Sequence, residues 1–379
     1  MSFLANISNA VRGCIKFLLT QPVTWIAHRF SSFPKQANVS AALDELYKNI
    51  LNGDTRKGRL ISIDPKLQSI IIFSDQHKGA RNGSDDFQMA EKNYLAALSY
   101  YNANQFMMLS LGDSEELWEN TVLSVMKHYK NTFDAEALFA SRDAFFKVYG
   151  NHDLFWDNDP FAGAFLKKMY GRQVDIYGGT VFRINLGGKE LDIFCTHGHQ
   201  GDAQSDGNAF SKWFVSYVWG PLQAYLQINT NKPSGNNELK TLHNEYMYQW
   251  SKQQENLILI TGHTHQPVFK SLTHLERLYL QREEAIAAGN RQKLEKIDAE
   301  IPRRRREYDH VKNSFRELKP SYFNTGCCCY QDGNITGIEI SNGCIRLIKW
   351  SNEQRTLAEE EELVQLLSFP PKFLVKPKI

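Results

Sequence analysis

Five short apolar runs, each ending in residues able to ligate a metal, constrain this 379-residue chain more than anything else in it. The first is Ser69-Ile70-Ile71-Ile72-Phe73, followed by Ser74-Asp75-Gln76-His77. A short apolar run rich in β-branched residues reads as a buried strand. In an extended segment residues i and i+2 point to the same side, so Asp75 and His77 can reach one point in space. One oxygen and one nitrogen ligand at a strand's carboxyl end suit a borderline divalent metal. The pattern then recurs. Gln105–Leu111 ends in Gly112-Asp113, and Phe145–Tyr149 ends in Gly150-Asn151-His152-Asp153. Leu191–Thr196 ends in His197-Gly198-His199, and Asn256–Thr261 ends in Gly262-His263-Thr264-His265. Helical stretches separate these strands, which predicts an α/β layered domain with its ligands at the carboxyl ends of the strands.

Composition excludes more than it selects. Hydrophobic content of 42% and charged content of 23% are ordinary for a globular chain, and the net charge of +2 gives no global footprint for nucleic acid, so no specific nucleic acid is expected. Six cysteines show no Cys-x-x-Cys spacing, and Cys327-Cys328-Cys329 reads as a small-residue buried strand. No uninterrupted run of about 18 apolar residues predicts a spanning helix. The N-terminus makes a poor signal peptide, because the stretch Ile15–Ile26 is broken by Lys16, Gln21 and Pro22. The expected location is cytoplasmic, in a reducing compartment.

Residues 1–36 form an N-terminal amphipathic segment and linker. Leu4, Ile7, Val11, Ile15 and Leu18 fall at helical spacing. That stripe suits packing on the protein's own core. With Arg12, Lys16, Trp25 and Arg29 it also suits a helix resting on the inner face of a membrane, which would make residues 1–30 a peripheral membrane contact. Residues 37–350 form the main domain, with two insertions. The first, 202–255, is aromatic-rich (Phe210, Trp213, Phe214, Trp219) and reads as a helical lid over the site. The second, 272–311, is charge-dense with a sparse apolar stripe and a turn at Gly289-Asn290, and reads as a helical arm. Residues 351–379 read as a C-terminal helix and tail. Oligomeric state leaves no sequence signal.

The ordered series Asp75-x-His77, Gly112-Asp113, Gly150-Asn151-His152-Asp153, His197-Gly198-His199 and Gly262-His263-Thr264-His265 resembles the five motifs of the calcineurin-like metallophosphoesterases. The resemblance implies an α-β-β-α layered sandwich, here with helical insertions, and a dinuclear site. Asp75, His77, Asp113 and His265 would hold one metal; Asp113, Asn151, His197 and His263 would hold the other, with Asp113 bridging. Mixed nitrogen and oxygen ligation suits manganese, iron or zinc. The implied reaction is phosphoester or pyrophosphate hydrolysis by a metal-bound hydroxide. His152 corresponds to the family's non-ligand histidine assisting the leaving group, with Asp153 expected to orient it. His199, Trp118 and Trp213 are expected substrate contacts.

Gly112-Asp113-Ser114-Glu115-Glu116-Leu117-Trp118 further resembles the UDP-2,3-diacylglucosamine pyrophosphatase branch, which points to a lipid-linked or nucleotide substrate. That branch carries arginine where this chain has His152, and it lacks the arm. Serine/threonine-type protein phosphatase and nuclease activities stay open beside it. A non-catalytic scaffold on the same fold is the reading from another class, and the complete ligand series weighs against it.

Overall fold

The computed structural model describes residues 34–83, 85–201, 237–308 and 318–367. The N-terminal segment, Trp213 with the first part of the lid, residues 309–317 and the end of the tail lie outside the described residues.

Fourteen strands among the described residues form two seven-stranded sheets. In chain order they are β1 (Gly58–Ile63), β2 (Ile70–Phe73), β3 (Met107–Leu111), β4 (Phe145–Val148), β5 (Ile176–Tyr177), β6 (Gly179–Leu186) and β7 (Lys189–Thr196). They continue with β8 (Leu257–Thr261), β9 (Val268–Phe269), β10 (Leu272–Thr273), β11 (Tyr322–Asn324), β12 (Ile335–Ser341), β13 (Cys344–Ser351) and β14 (Gln354–Glu362). One sheet runs β1-β6-β7-β8-β11-β9-β10 and the other β14-β13-β12-β2-β3-β4-β5. Strands β2, β3 and β4 are mutually parallel, as are β7, β8 and β11. The carboxyl ends of β2, β3, β4, β7 and β8 carry the five motifs.

Strand alternation assigns the layers. Ile70 and Ile72 turn inward, with Phe182, Ile193, Ile260 and Phe323 of the facing sheet in the same apolar core. Ile71 and Phe73 turn the other way, onto α2 (Glu91–Ala103), α3 (Val122–His128), α4 (Lys130–Ser141), α5 (Phe155–Asn158) and α6 (Ala162–Tyr170). Val181, Phe194 and Leu259 cover the outer face of the first sheet, against α1 (Gln36–Leu51) and α7 (Asn237–Ser251). The result is the expected α-β-β-α sandwich.

The arm is a helical hairpin of α8 (His274–Ala287) and α9 (Arg291–Arg304), closed on Leu278, Ala285 and Ile297. Thr273 and Glu276 form a reciprocal capping box at its start, and the Asn290 side chain accepts from Lys293 N at 3.0 Å to cap α9. Gly289, at φ +65°, makes the turn between them.

Two expectations change here. The chain beyond residue 350 does not pass straight into a helix: Gln354–Glu362 is β14, and a short helix, α10 (Leu363–Leu367), follows. The acidic run is therefore an edge strand, with Glu359 against Arg277 at 3.1 Å and Glu361 against Lys270 at 2.7 Å. Backbone pairing with β13 makes it a strand, and that needs no apolar side chains. Cys327-Cys328-Cys329 is not a strand either. It is a buried loop after β11, folded beneath β2, with Cys328 N donating to the Ser74 and Asp75 carbonyls at 3.1 Å. No helix among the described residues is long and apolar enough to cross a membrane.

Candidate metal centre

Six of the seven candidate ligands meet in one buried place, and Asn151 lies in the loop whose next residue, His152, donates its backbone N–H to Asp113. Asp75 Oδ1 lies 3.2 Å from His265 Nε2, and His77 Nε2 lies 3.3 Å from His265 Nε2. Asp113 Oδ2 lies 3.7 Å from His77 Nε2 and 3.1 Å from His197 Nε2. Donor atoms of Asp75, His77 and Asp113 fall within 4.8 Å of one another, as do those of Asp113, His197 and His263. Asp113 belongs to both groups, so it stands where a bridging carboxylate would.

The pleat of an extended strand does not bring them there. Asp75, His77, Asp113, His263 and His265 all have positive φ, between 51° and 70°. Asp75 and His77 thus sit past the end of β2 in left-handed turns, and the expectation of an extended i, i+2 pair is corrected. Left-handed backbone is costly for residues with a Cβ and persists only where the surroundings enforce it. Here Asp75 N donates to Gly112 O at 3.0 Å and His77 N to Asp113 O at 2.9 Å, so the loops after β2 and β3 hold each other. His263 N donates to Asp75 Oδ2 at 3.0 Å, and His152 N to Asp113 Oδ1 at 2.8 Å. Gly112 is required beside them: at φ +83° any Cβ would run into the His197 ring.

Electrostatics follow the packing. Burial opposes charge on Asp113, yet His197, His152 and His77 hold its carboxyl well below the usual range. Burial likewise opposes charge on His197, but Asp113 and Asp75 push it up to about 9. Burial, with His243 and His197 nearby, drives His263 well below an ordinary histidine. Two buried atoms in this place, His197 Nε2 and His263 Nε2, make no hydrogen bond, and neither does the buried Asn151 Oδ1. Buried polar atoms are ordinarily satisfied, so orphaned imidazole nitrogens beside a carboxylate fit a bound cation.

Around the ligands, Glu116 is the residue the sequence reading passed over. Its Oε2 lies 3.0 Å from His77 Nδ1 and 2.8 Å from His152 Nδ1. Its signal was present, three residues after Asp113 in the quoted motif. Asp153 was expected to orient His152, but its oxygens accept from Gly150 N and from Ser114 N, the latter at 2.8 Å. It pins two ligand loops together, and Glu116 holds His152. Burial and the neighbouring charges of Asp113 and Glu115, countered by Lys147, leave Asp153 raised to about 6. Trp118 stacks on His152 at 4.1 Å between ring centroids, so its ring also positions that histidine. His199 is buried with its ring 5.5 Å from that of His197. Cys329 Sγ lies 3.7 Å from His265 Nδ1, so the cysteine loop backs a candidate ligand.

With that geometry in hand, residues 69–267 match the sequence model of the calcineurin-like phosphoesterases. The chain belongs to that family. A sequence comparison with curated proteins gives no match. Two solved structures of a cold-active protein tyrosine phosphatase, one of them a point mutant, are similar at TM-score 0.33 and 11% identity. They cover 81% and 80% of this chain and 85% and 82% of their own, and a likeness so distant carries no argument.

Proposed function

We propose that this calcineurin-like phosphoesterase hydrolyses a phosphoester or pyrophosphate using two divalent cations, of manganese, iron or zinc type. Asp75, His77, Asp113 and His265 would hold one, and Asp113, Asn151, His197 and His263 the other. The observation carrying this reading is the convergence of the unsatisfied His197 and His263 nitrogens on Asp113. Bound there, the cations supply Lewis-acid polarisation and charge neutralisation at a phosphoryl group.

The chain's own residues do the rest. Glu116 fixes His152 through Nδ1, which leaves Nε2 as the ring atom able to pass a proton to the leaving oxygen. The Trp118 ring covers one face of that imidazole and restricts its rotation. Asp153 joins the 112–114 and 150–153 loops, keeping His152 in register with Asp113. A lid role for residues 202–255, a substrate contact by His199 and a lipid-linked substrate belong to the same proposal. The test is metal analysis of the purified protein with turnover on mono-, di- and pyrophosphate esters, lipid-linked ones included. About two metals per chain and metal-dependent hydrolysis are expected. A protein that binds no metal and cleaves nothing on the panel would end this reading.

A further inference from the structure

Helix α7 crosses the loop that carries His263 and His265, and Asn244 locks it there. The Asn244 side chain accepts from Thr264 Oγ1 at 3.1 Å and from Tyr322 OH at 2.8 Å, and donates to Gln266 Oε1 at 3.1 Å. His243, beside Asn244, is 2% exposed and sets its ring at 75° to that of His263, with 5.0 Å between centroids. Its Nδ1 has no hydrogen-bond partner. Lys240 lies one turn back, on the side that i, i+3 and i, i+4 spacing shares with His243 and Asn244. It is half-buried, and the groups acting on its charge are Cys327, Cys329 and Glu307. Cys329 is itself the neighbour of His265. Lys240 makes no hydrogen bond or ion pair with any described residue. One turn of α7 thus sets beside His263 an imidazole whose Nδ1 has no partner among the described residues and, near the cysteine loop that backs His265, a lysine that forms no ion pair among them.

We infer that Lys240 and His243 form a subsite for a second anionic group, carried by the substrate next to its scissile phosphate. A substrate with two adjacent phosphoryl groups would then be held better than a simple monoester. This deepens the phosphoesterase reading and rests on it. A lysine ammonium is a point charge well matched to phosphate oxygens, and an imidazole N–H adds a directional donor. Burial pushes the Lys240 ammonium below an ordinary lysine, which is the condition an arriving anion relieves.

Calorimetry of methylenediphosphonate and of orthophosphate binding to manganese-loaded protein tests this without turnover. Wild type should prefer the diphosphonate at least tenfold. Lys240→Met should lose that preference, keep orthophosphate affinity within twofold and keep its manganese content, and Lys240→Arg should restore the preference. His243→Phe, which keeps a ring against His263 but no nitrogen, should weaken diphosphonate binding severalfold. A wild type with no preference, a Lys240→Met protein that retains it, or one that sheds manganese would each overturn the subsite. Diphosphonate discrimination in a protein that hydrolyses no ester would leave the subsite standing and sink the enzymatic reading instead.

Discussion

At the scale of single residues, Glu116 joins two jobs that the motif pattern keeps apart. It supports His77, a candidate ligand, and His152, the candidate acid, through one carboxylate. His152→Ala should keep its metal content and lose turnover about 10²–10⁴-fold, the usual range for a general acid. Metal loss on the scale of Asp113→Ala would make His152 a ligand instead. Glu116→Ala should do both kinds of damage: a comparable fall in turnover and about 10–100-fold weaker metal binding, as for other partners that orient ligating histidines. Unchanged metal affinity in that variant would separate the two roles and refute the shared one. The seven candidate ligands were legible because each follows an apolar run. Glu116 was not assigned because its function depends on two rings brought from residues 77 and 152, which one-dimensional spacing does not show. Asp153 was assigned wrongly for the same reason: adjacency to His152 in sequence is not adjacency of side chains.

Elements show the same division. Strands β2, β3 and β8 and the second half of β7 are buried on both faces almost throughout, and their apolar runs betray them. β1 buries only Gly58 and Ile63 fully, and β14 ends in four glutamates, so both look like loop or tail until their neighbours are known. The arm was legible as helices but not its attachment, which runs through Arg277 to Glu359 on β14. His274, which opens α8, gives the arm a pH dependence. Burial lowers it to about 4, Arg277 and Arg304 add to that, and Glu300, 3.1 Å away, opposes it. A histidine depressed in the folded state stabilises it fully above the unfolded value of about 6.5, and that contribution is lost as pH falls from there towards 4. Denaturant midpoints measured between pH 7 and pH 4 should therefore fall more steeply for wild type than for His274→Gln. Parallel curves would count against the assignment.

For the whole molecule, the candidate metal end of the sandwich rests on a buried ionic cluster between β4 and the outer helices. Lys78 Nζ lies 2.7 Å from Glu136 and 3.3 Å from Glu115, and Lys147 Nζ lies 2.9 Å from Glu115. Tyr94 and Tyr170 donate to Glu136 at 2.9 and 3.0 Å, and Trp156 Nε1 to Glu115 at 2.8 Å. Two lysines and two glutamates balance in charge, and every one is fully buried. Removing one member strands another, so Lys147→Met should cost about 3–5 kcal/mol in chemical denaturation. A loss under about 1 kcal/mol would mean the cluster relaxes by admitting water. The left-handed turns at Asp75, His77, Asp113, His263 and His265 carry this further. Each is worth about 1–3 kcal/mol of strain, against a net stability of about 5–15 kcal/mol for a typical domain. If cation binding offsets that strain, a cell starved of the ion should hold less of this polypeptide, because quality control would clear the chain before it could accumulate as an idle apoprotein.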